Sequence, residues 1–239
     1  KQYADFTLDH VSFSIPKGTI MGLIGENGAG KSTTINAILD LIHKDDGTVT
    51  FWGQELSSAK QLKEDIGVVF DGINFYETLT AAKVGKISQT AYKQWDDRLY
   101  REYLNRFQLP ADKEIKTFSK GMKMKLCIAV ALSHKPKLLI LDEATNGLDP
   151  VMRDDILDVF LEFVQDEEHS ILISSHITTD LEKVADSITF IHQGKVLFCK
   201  AKDELLYHYG IIRCGAAIFD EIDKSEILDM VNVSTVVRD

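Results

Sequence analysis

Residues 25–33 read Gly-Glu-Asn-Gly-Ala-Gly-Lys-Ser-Thr, after a short apolar run from Thr19 to Ile24 and before helical periodicity from Lys31 to Ile42. A G-x-x-x-x-G-K-S segment placed between a strand and a helix leaves few folds open. The glycines let the backbone turn tightly enough for the N–H groups of Asn27, Gly28, Ala29, Gly30, Lys31 and Ser32 to face one centre. The helix opening at Lys31 adds its partial positive charge there. Such a cup suits phosphate oxygens. Lys31 is placed to reach the β- and γ-phosphates of a nucleotide and Ser32 to ligate Mg²⁺, with Thr33 last in the nucleotide-binding set.

A second segment strengthens this reading. Residues 138–143 read Leu-Leu-Ile-Leu-Asp-Glu, four core-strand residues ending in two carboxylates. In open α/β sheets, ligands bind at that end of the strands. Asp142 is suited to hold Mg²⁺ through water, and Glu143 to polarise an attacking water.

The rest of the chain alternates strands with helices, the pattern of an α/β layered core. Expected strands are Val11–Ile15, Thr48–Trp52, Ile66–Phe70, Lys137–Leu141, Ser170–Ser174, Ile188–His192 and Val196–Cys199. Residues 77–108 carry a helical pattern, a further helix spans Ser119 to His134, and Asp149-Pro150 has the N-cap and first-turn chemistry of a helix start. The 44% hydrophobic share over 239 residues supports one sizeable core. A net charge of -10 disfavours a sequence-blind nucleic-acid binder. Cys127, Cys199 and Cys214 match no zinc spacing and are expected to be packed, reduced thiols. No run approaches the ~18 apolar residues of a membrane span. No signal-peptide pattern opens the chain, so any membrane span is expected from another polypeptide.

Together these residues resemble the ATP-binding-cassette (ABC) ATPases, and five further features extend the match. Phe118-Ser119-Lys120-Gly121-Met122 is similar to the family's L-S-G-G-Q signature, keeping the serine and second glycine. Gly147-Leu148-Asp149 resembles its D-loop, and His176, just after the strand at 170–174, its switch histidine. Tyr3 lies upstream of the phosphate loop, where the family stacks adenine. Gly67-Val68-Val69-Phe70-Asp71 sits where the family carries its Q-loop, but with Asp71 in place of glutamine. An aspartate remains an oxygen donor for Mg²⁺, yet when ionised it cannot donate a hydrogen bond.

The resemblance covers residues 1 to about 200. It implies a P-loop NTPase (RecA-like) core with an N-terminal antiparallel β subdomain and an inserted helical subdomain at about 74–135, followed by a tail of unassigned role at 201–239. It implies a Mg-dependent ATPase in which two cassettes pair head-to-tail, each ATP lying between one chain's phosphate loop and the other's Ser119, Lys120, Gly121 and Met122, with Asp149 also at that junction. Glu143 would be the base, Lys31 and His176 would contact the γ-phosphate, and Ser32, Asp142 and Asp71 would surround the metal. The Asn-Gly-Leu-Asp-Pro and Ser-Lys-Gly-Met segments look like the ATPases of bacterial ABC-2-type exporters. That likeness implies a separate transmembrane permease and a place on the cytoplasmic face of the membrane. Two other readings stand beside it: a non-transport ABC ATPase acting on DNA or ribosomes, and a low-turnover regulatory cassette.

Overall fold

The computed structural model describes residues 1–56, 60–72 and 75–208. Cys214 and most of the tail expected at 201–239 lie outside that range, as does residue 74, where the helical insertion was expected to begin.

Eight strands and seven α-helices follow in the order β1 (Ile20–Ile24), α1 (Lys31–Ile38), β2 (Thr50–Phe51), β3 (Gln54–Glu55), β4 (Ile66–Val69), α2 (Ala81–Ala91), α3 (Asp97–Arg106), α4 (Lys120–Ser133), β5 (Leu138–Asp142), α5 (Pro150–Phe163), β6 (Ser170–Ser175), α6 (Thr178–Val184), β7 (Ser187–His192), β8 (Lys195–Ala201) and α7 (Lys202–His208) among the described residues. The main sheet runs β4-β5-β6-β1-β7-β8. Its first five strands are parallel, and β8 pairs antiparallel with β7. This is the α/β class that the alternating pattern predicts.

The central strands are apolar because helices cover both faces of the sheet. Successive side chains on β5 point to opposite faces. Leu138 and Ile140 join Met21, Leu23 and Ile35 on one side. Leu139 and Leu141 meet Leu126, Ile128, Ile156 and Phe160 on the other. The parallel register then brings the carboxyl ends of β1, β4, β5 and β6 to one edge: Ile24 lies beside Ser175, Asp142 beside Ser174, and Val69 beside Leu141.

The helical stretch expected at 77–108 is two helices, α2 and α3. Thr80 and Asp96 cap them, their side chains accepting backbone N–H bonds. α2 and α3 pack with α4. Gly85 leaves room in α2 for Tyr100 of α3, whose hydroxyl donates to the Ala81 carbonyl at 2.8 Å.

Several boundaries differ from expectation: the strand expected at Thr48–Trp52 is reduced to Thr50–Phe51, others shift by one to two residues, and two departures are larger. α1 stops at Ile38, short of Ile42, because Asp40 turns to φ 57° and the Leu41 N–H bonds back to the Asn36 carbonyl at 2.9 Å. Val11, Phe13 and Ile15 keep the predicted alternation, half-buried between exposed Ser12 and Ser14, but form no strand. The facing segment, residues 48–52, stands across an open groove of about 850 Å³. No ladder pairs the two segments, whereas laddered strands lie about 4.8 Å apart. Antiparallel structure near the N-terminus consists of the Gln2–Thr7 bridge and the β2–β3 hairpin, turned at Trp52-Gly53. Cys127 is buried as expected, whereas Cys199 on the edge strand is exposed.

Candidate active site

The phosphate loop leaves β1 at Gly25 and enters α1 at Lys31. Gly28 and Gly30 have φ of 82° and 112°, backbone conformations that L side chains rarely adopt. Gly30 also lacks room for a side chain, since a Cβ there would lie 2.8 Å from Phe6 Cζ. The loop is clamped from outside: the Gly194 N–H donates to the Ala29 carbonyl and the Asp9 N–H to the Gly194 carbonyl, each at 2.8 Å. No side chain caps the N-terminus of α1. Its first N–H groups therefore remain for an anion. Glu26, Asn27, Gly28 and Ser32 are exposed around this cup, Thr33 is half-buried, and Ala29 is buried.

Lys31 is only 5% exposed. Its ammonium donates to the Gly25 and Glu26 carbonyls at 2.9 and 3.2 Å and lies 3.2 Å from Glu143 Oε1. Glu143 accepts from His176 Nδ1 on its other oxygen, at 2.7 Å. Its backbone is left-handed, φ 53°, which turns the chain sharply at the end of β5. Both the Ser174 carbonyl and hydroxyl receive the Glu143 N–H, at 3.2 and 3.1 Å. The same hydroxyl donates to Asp142 Oδ1 at 2.6 Å. Lys31, Asp142, Glu143 and His176 thus converge at one sheet edge.

Ser174 was not foreseen as part of the site. Its signal was present, a polar residue in a buried strand neighbouring the Asp-Glu strand, but the neighbourhood becomes visible only once β5 and β6 are paired. Asp71 is exposed two residues beyond β4, on the same edge. Tyr3 is 43% exposed, its ring centroid 6.5 Å from that of Phe6, which abuts Gly30, and the Lys1 ammonium lies 5.6 Å from the Tyr3 ring centroid.

The signature-like residues sit elsewhere. Ser119 caps α4 by accepting the Met122 N–H at 3.2 Å. Ser119 and Lys120 are exposed, and Gly121 is buried because a Cβ there would lie 2.2 Å from Met152 Sδ. The Lys120 ammonium lies over Gly147, 2.9 Å from where a Cβ would be. Asp149 caps α5 through the Met152 N–H at 3.0 Å. Among the described residues, no hydrogen bond or ion pair joins residues 119–122 to the phosphate loop.

A family model described as ABC transporter matches residues 8–146, more than half of the chain. The chain belongs to the ABC transporter family. The lantibiotic transport ATP-binding protein SrtF of Streptococcus pyogenes is 39% identical over 206 residues, 85% of this chain and 88% of that protein. The ABC transporter ATP-binding protein YtrB of Bacillus subtilis (strain 168) is 33% identical over 202 residues, 84% of this chain and 69% of its own length. A solved ATP-binding subunit of an ABC transporter superposes with a TM-score of 0.75 at 30% identity, covering 83% of this chain and 85% of that one.

As an ABC ATPase the chain hydrolyses ATP with Mg²⁺. Its own residues fit that ligand: an uncapped helix N-terminus and a buried ammonium suit the phosphates. The exposed Ser32 hydroxyl and the Asp142 carboxylate are oxygen donors that would suit a cation keeping most of its shell as water and phosphate. No helix among the described residues is long and apolar enough to cross a membrane.

Proposed function

We propose that this chain is the motor of a membrane exporter, pairing head-to-tail with a second copy around two Mg-ATP and driving a separate ABC-2-type permease from the cytoplasmic face. One observation carries the pairing. The phosphate-facing residues meet at one sheet edge, while Ser119 and Lys120 stand exposed on α4 without a partner at that edge. A second chain's α4 N-terminus would supply the missing anion-binding groups, the Ser119 hydroxyl and the Gly121 N–H. Lys120 would add positive charge, and Met122 and Asp149 would border the junction.

Within one site, Glu143 takes the proton of the attacking water, and His176 holds Glu143 and reaches the γ-phosphate. Lys31 and the 27–33 backbone bind the phosphates, Ser32, Asp142 and Asp71 would hold Mg²⁺, and Tyr3 stacks on adenine. The catalysis is positioning plus electrostatics. Helices α2, α3 and α4 belong to the helical subdomain that meets the permease. A transport role is supported by relatives named for lantibiotic and bacitracin transport, and the export direction by the resemblance of the Asn146–Pro150 and Ser119–Met122 segments to ABC-2-type exporter ATPases. The acidic net charge speaks against a nucleic-acid partner. Exposed Asp71 in place of glutamine favours a second reading, a cassette of low turnover.

The test is Mg-dependent ATP hydrolysis by the chain and by Glu143→Gln, with size analysis of both in ATP. Turnover by wild type alone, with an ATP-dependent dimer of the variant, supports the motor reading. A monomeric variant in saturating ATP, with the permease present, overturns it.

A further inference from the structure

Residues 1–8 fold back on themselves. The Tyr3 N–H donates to the Phe6 carbonyl and the Leu8 N–H to the Lys1 carbonyl, each at 2.8 Å, with Gln2 bridged to Thr7 between them. Tyr3 therefore sits at the turn of a small hairpin, and the two arms are anchored separately. The returning arm lies against the phosphate loop and its clamp. Phe6 Cζ and Leu8 Cδ1 are 2.8 and 3.2 Å from where a Cβ on Gly30 would be, and the Thr7 carbonyl packs on Gly194. The arm that carries Tyr3 is tied down by Asp45, in the loop that leaves α1. One Asp45 oxygen accepts from the Lys1 ammonium at 2.8 Å, the other from the Gln2 N–H at 2.7 Å.

An ion pair as exposed as Lys1–Asp45, with side chains 21% and 46% accessible, adds little to stability by itself. Its geometry does more. A carboxylate that holds a side chain and the next residue's backbone N–H fixes the arm in both position and rotation. These two donors, the Lys1 ammonium foremost, keep the Asp45 carboxyl below its ordinary range, so it is ionised near neutral pH. The same ammonium stands over the Tyr3 ring, 5.6 Å from its centroid and within cation–π reach. Asp45 thus holds the backbone beside Tyr3 and the cation over its ring. Among the described residues, no hydrogen bond or ion pair joins Asp45 to residues 25–33.

We propose that Asp45 is a positioning residue for base recognition, holding the Tyr3 ring ready as a platform for adenine. The inference rests on the reading of Tyr3 as the residue that stacks on adenine. Stacking needs a ring held in one plane, and a platform ordered before the nucleotide arrives spares the entropy of ordering it on binding. The phosphates are gripped by residues 27–33, whose hold does not pass through Asp45. Loss of Asp45 is therefore felt by the base and not by the phosphates.

The experiment titrates Mg-ADP and Mg-tripolyphosphate, which has no base, into wild type, Asp45→Ala, Tyr3→Ala, their double variant and Asp46→Asn by calorimetry. Tyr3→Ala is expected to weaken Mg-ADP about tenfold, the size of one base–aromatic stack. Asp45→Ala is expected to weaken it about fivefold, and the double variant no more than Tyr3→Ala alone. Mg-tripolyphosphate is expected to bind every variant within about twofold of wild type, and Asp46→Asn to match wild type with both ligands. In steady state, Asp45→Ala is expected to raise KM for ATP about fivefold with kcat within about twofold. Equal weakening of both ligands by Asp45→Ala would mean a general structural role and overturn the proposal. Mg-ADP affinity close to wild type in Asp45→Ala, or additive losses in the double variant, would overturn it as well. Unchanged Mg-ADP binding by Tyr3→Ala would instead remove the stacking reading, and the proposal with it. If Asp45→Ala does not fold, Asp45→Asn, which keeps an acceptor for only one of the two donors, carries the same comparison.

Discussion

Nucleotide entering the phosphate loop has to draw the Lys31 ammonium away from Glu143. The two groups are 3.2 Å apart, with side chains 5% and 12% exposed. At an effective dielectric near 20, unit charges at that distance attract by about 5 kcal/mol. Desolvation offsets most of this, and Lys31 keeps two carbonyl acceptors, Gly25 and Glu26, without Glu143. In Glu143→Gln one carboxylate oxygen becomes an NH2 donor, so only one of Lys31 and His176 keeps its acceptor, and the charge is gone. Exchanging a charged for a neutral acceptor weakens such a bond by about 1–2 kcal/mol. Lys31 is then held less firmly in the free protein. ADP, which has no γ-phosphate for Glu143 to repel, should bind roughly tenfold more tightly, the equivalent of about 1.4 kcal/mol. Titration calorimetry with Mg-ADP on both proteins reads this directly. The same substitution should lower kcat by about 10²–10⁴, the usual contribution of a general base. Unchanged or weaker ADP affinity in the variant would refute the idea that Glu143 competes with phosphate for Lys31.

Three further outcomes are expected. Gly85→Ala places a Cβ 2.4 Å from Tyr100 Cε1, in a ring that is 2% exposed and anchored to the Ala81 carbonyl. Overpacking of about 1–3 kcal/mol should outweigh the gain of about 1 kcal/mol in helix propensity, so urea unfolding should show net destabilisation, and a stabilised variant would refute the packing argument. Burial against Tyr92 and under Ile66 pushes the His134 imidazole below its ordinary value of 6.5, so it is neutral in the fold. The unfolded chain then binds the extra proton first: this stability is present above about pH 6.5 and is lost as pH falls toward the folded value, and His134→Gln should flatten that part of the pH dependence in urea titrations. Asp71→Gln, at an exposed position, should leave ATPase activity within about threefold of wild type. Complete loss would mean that an acid is required there.

What the chain reveals before folding is what depends on neighbours in sequence. The phosphate loop, the Asp142-Glu143 strand end, and the caps Ser119 and Asp149 are local geometry, set by glycine freedom, strand apolarity and side-chain acceptors one turn from free N–H groups. The order of these segments was enough to reach the family. The hold of Ser174 on Asp142, the contact of Lys31 with Glu143, and the Arg153–Asp180 ion pair join residues 27 to 112 positions apart. No local pattern encodes them; they exist because the parallel register lines up β1, β5 and β6. The same holds for Gly85 and Gly121, ordinary helix residues in sequence whose missing Cβ matters only once Tyr100 and Met152 pack against them. Alternation alone could not make a strand of residues 11–15, because a strand needs a neighbour within hydrogen-bonding distance, and only the tertiary structure decides where neighbours stand.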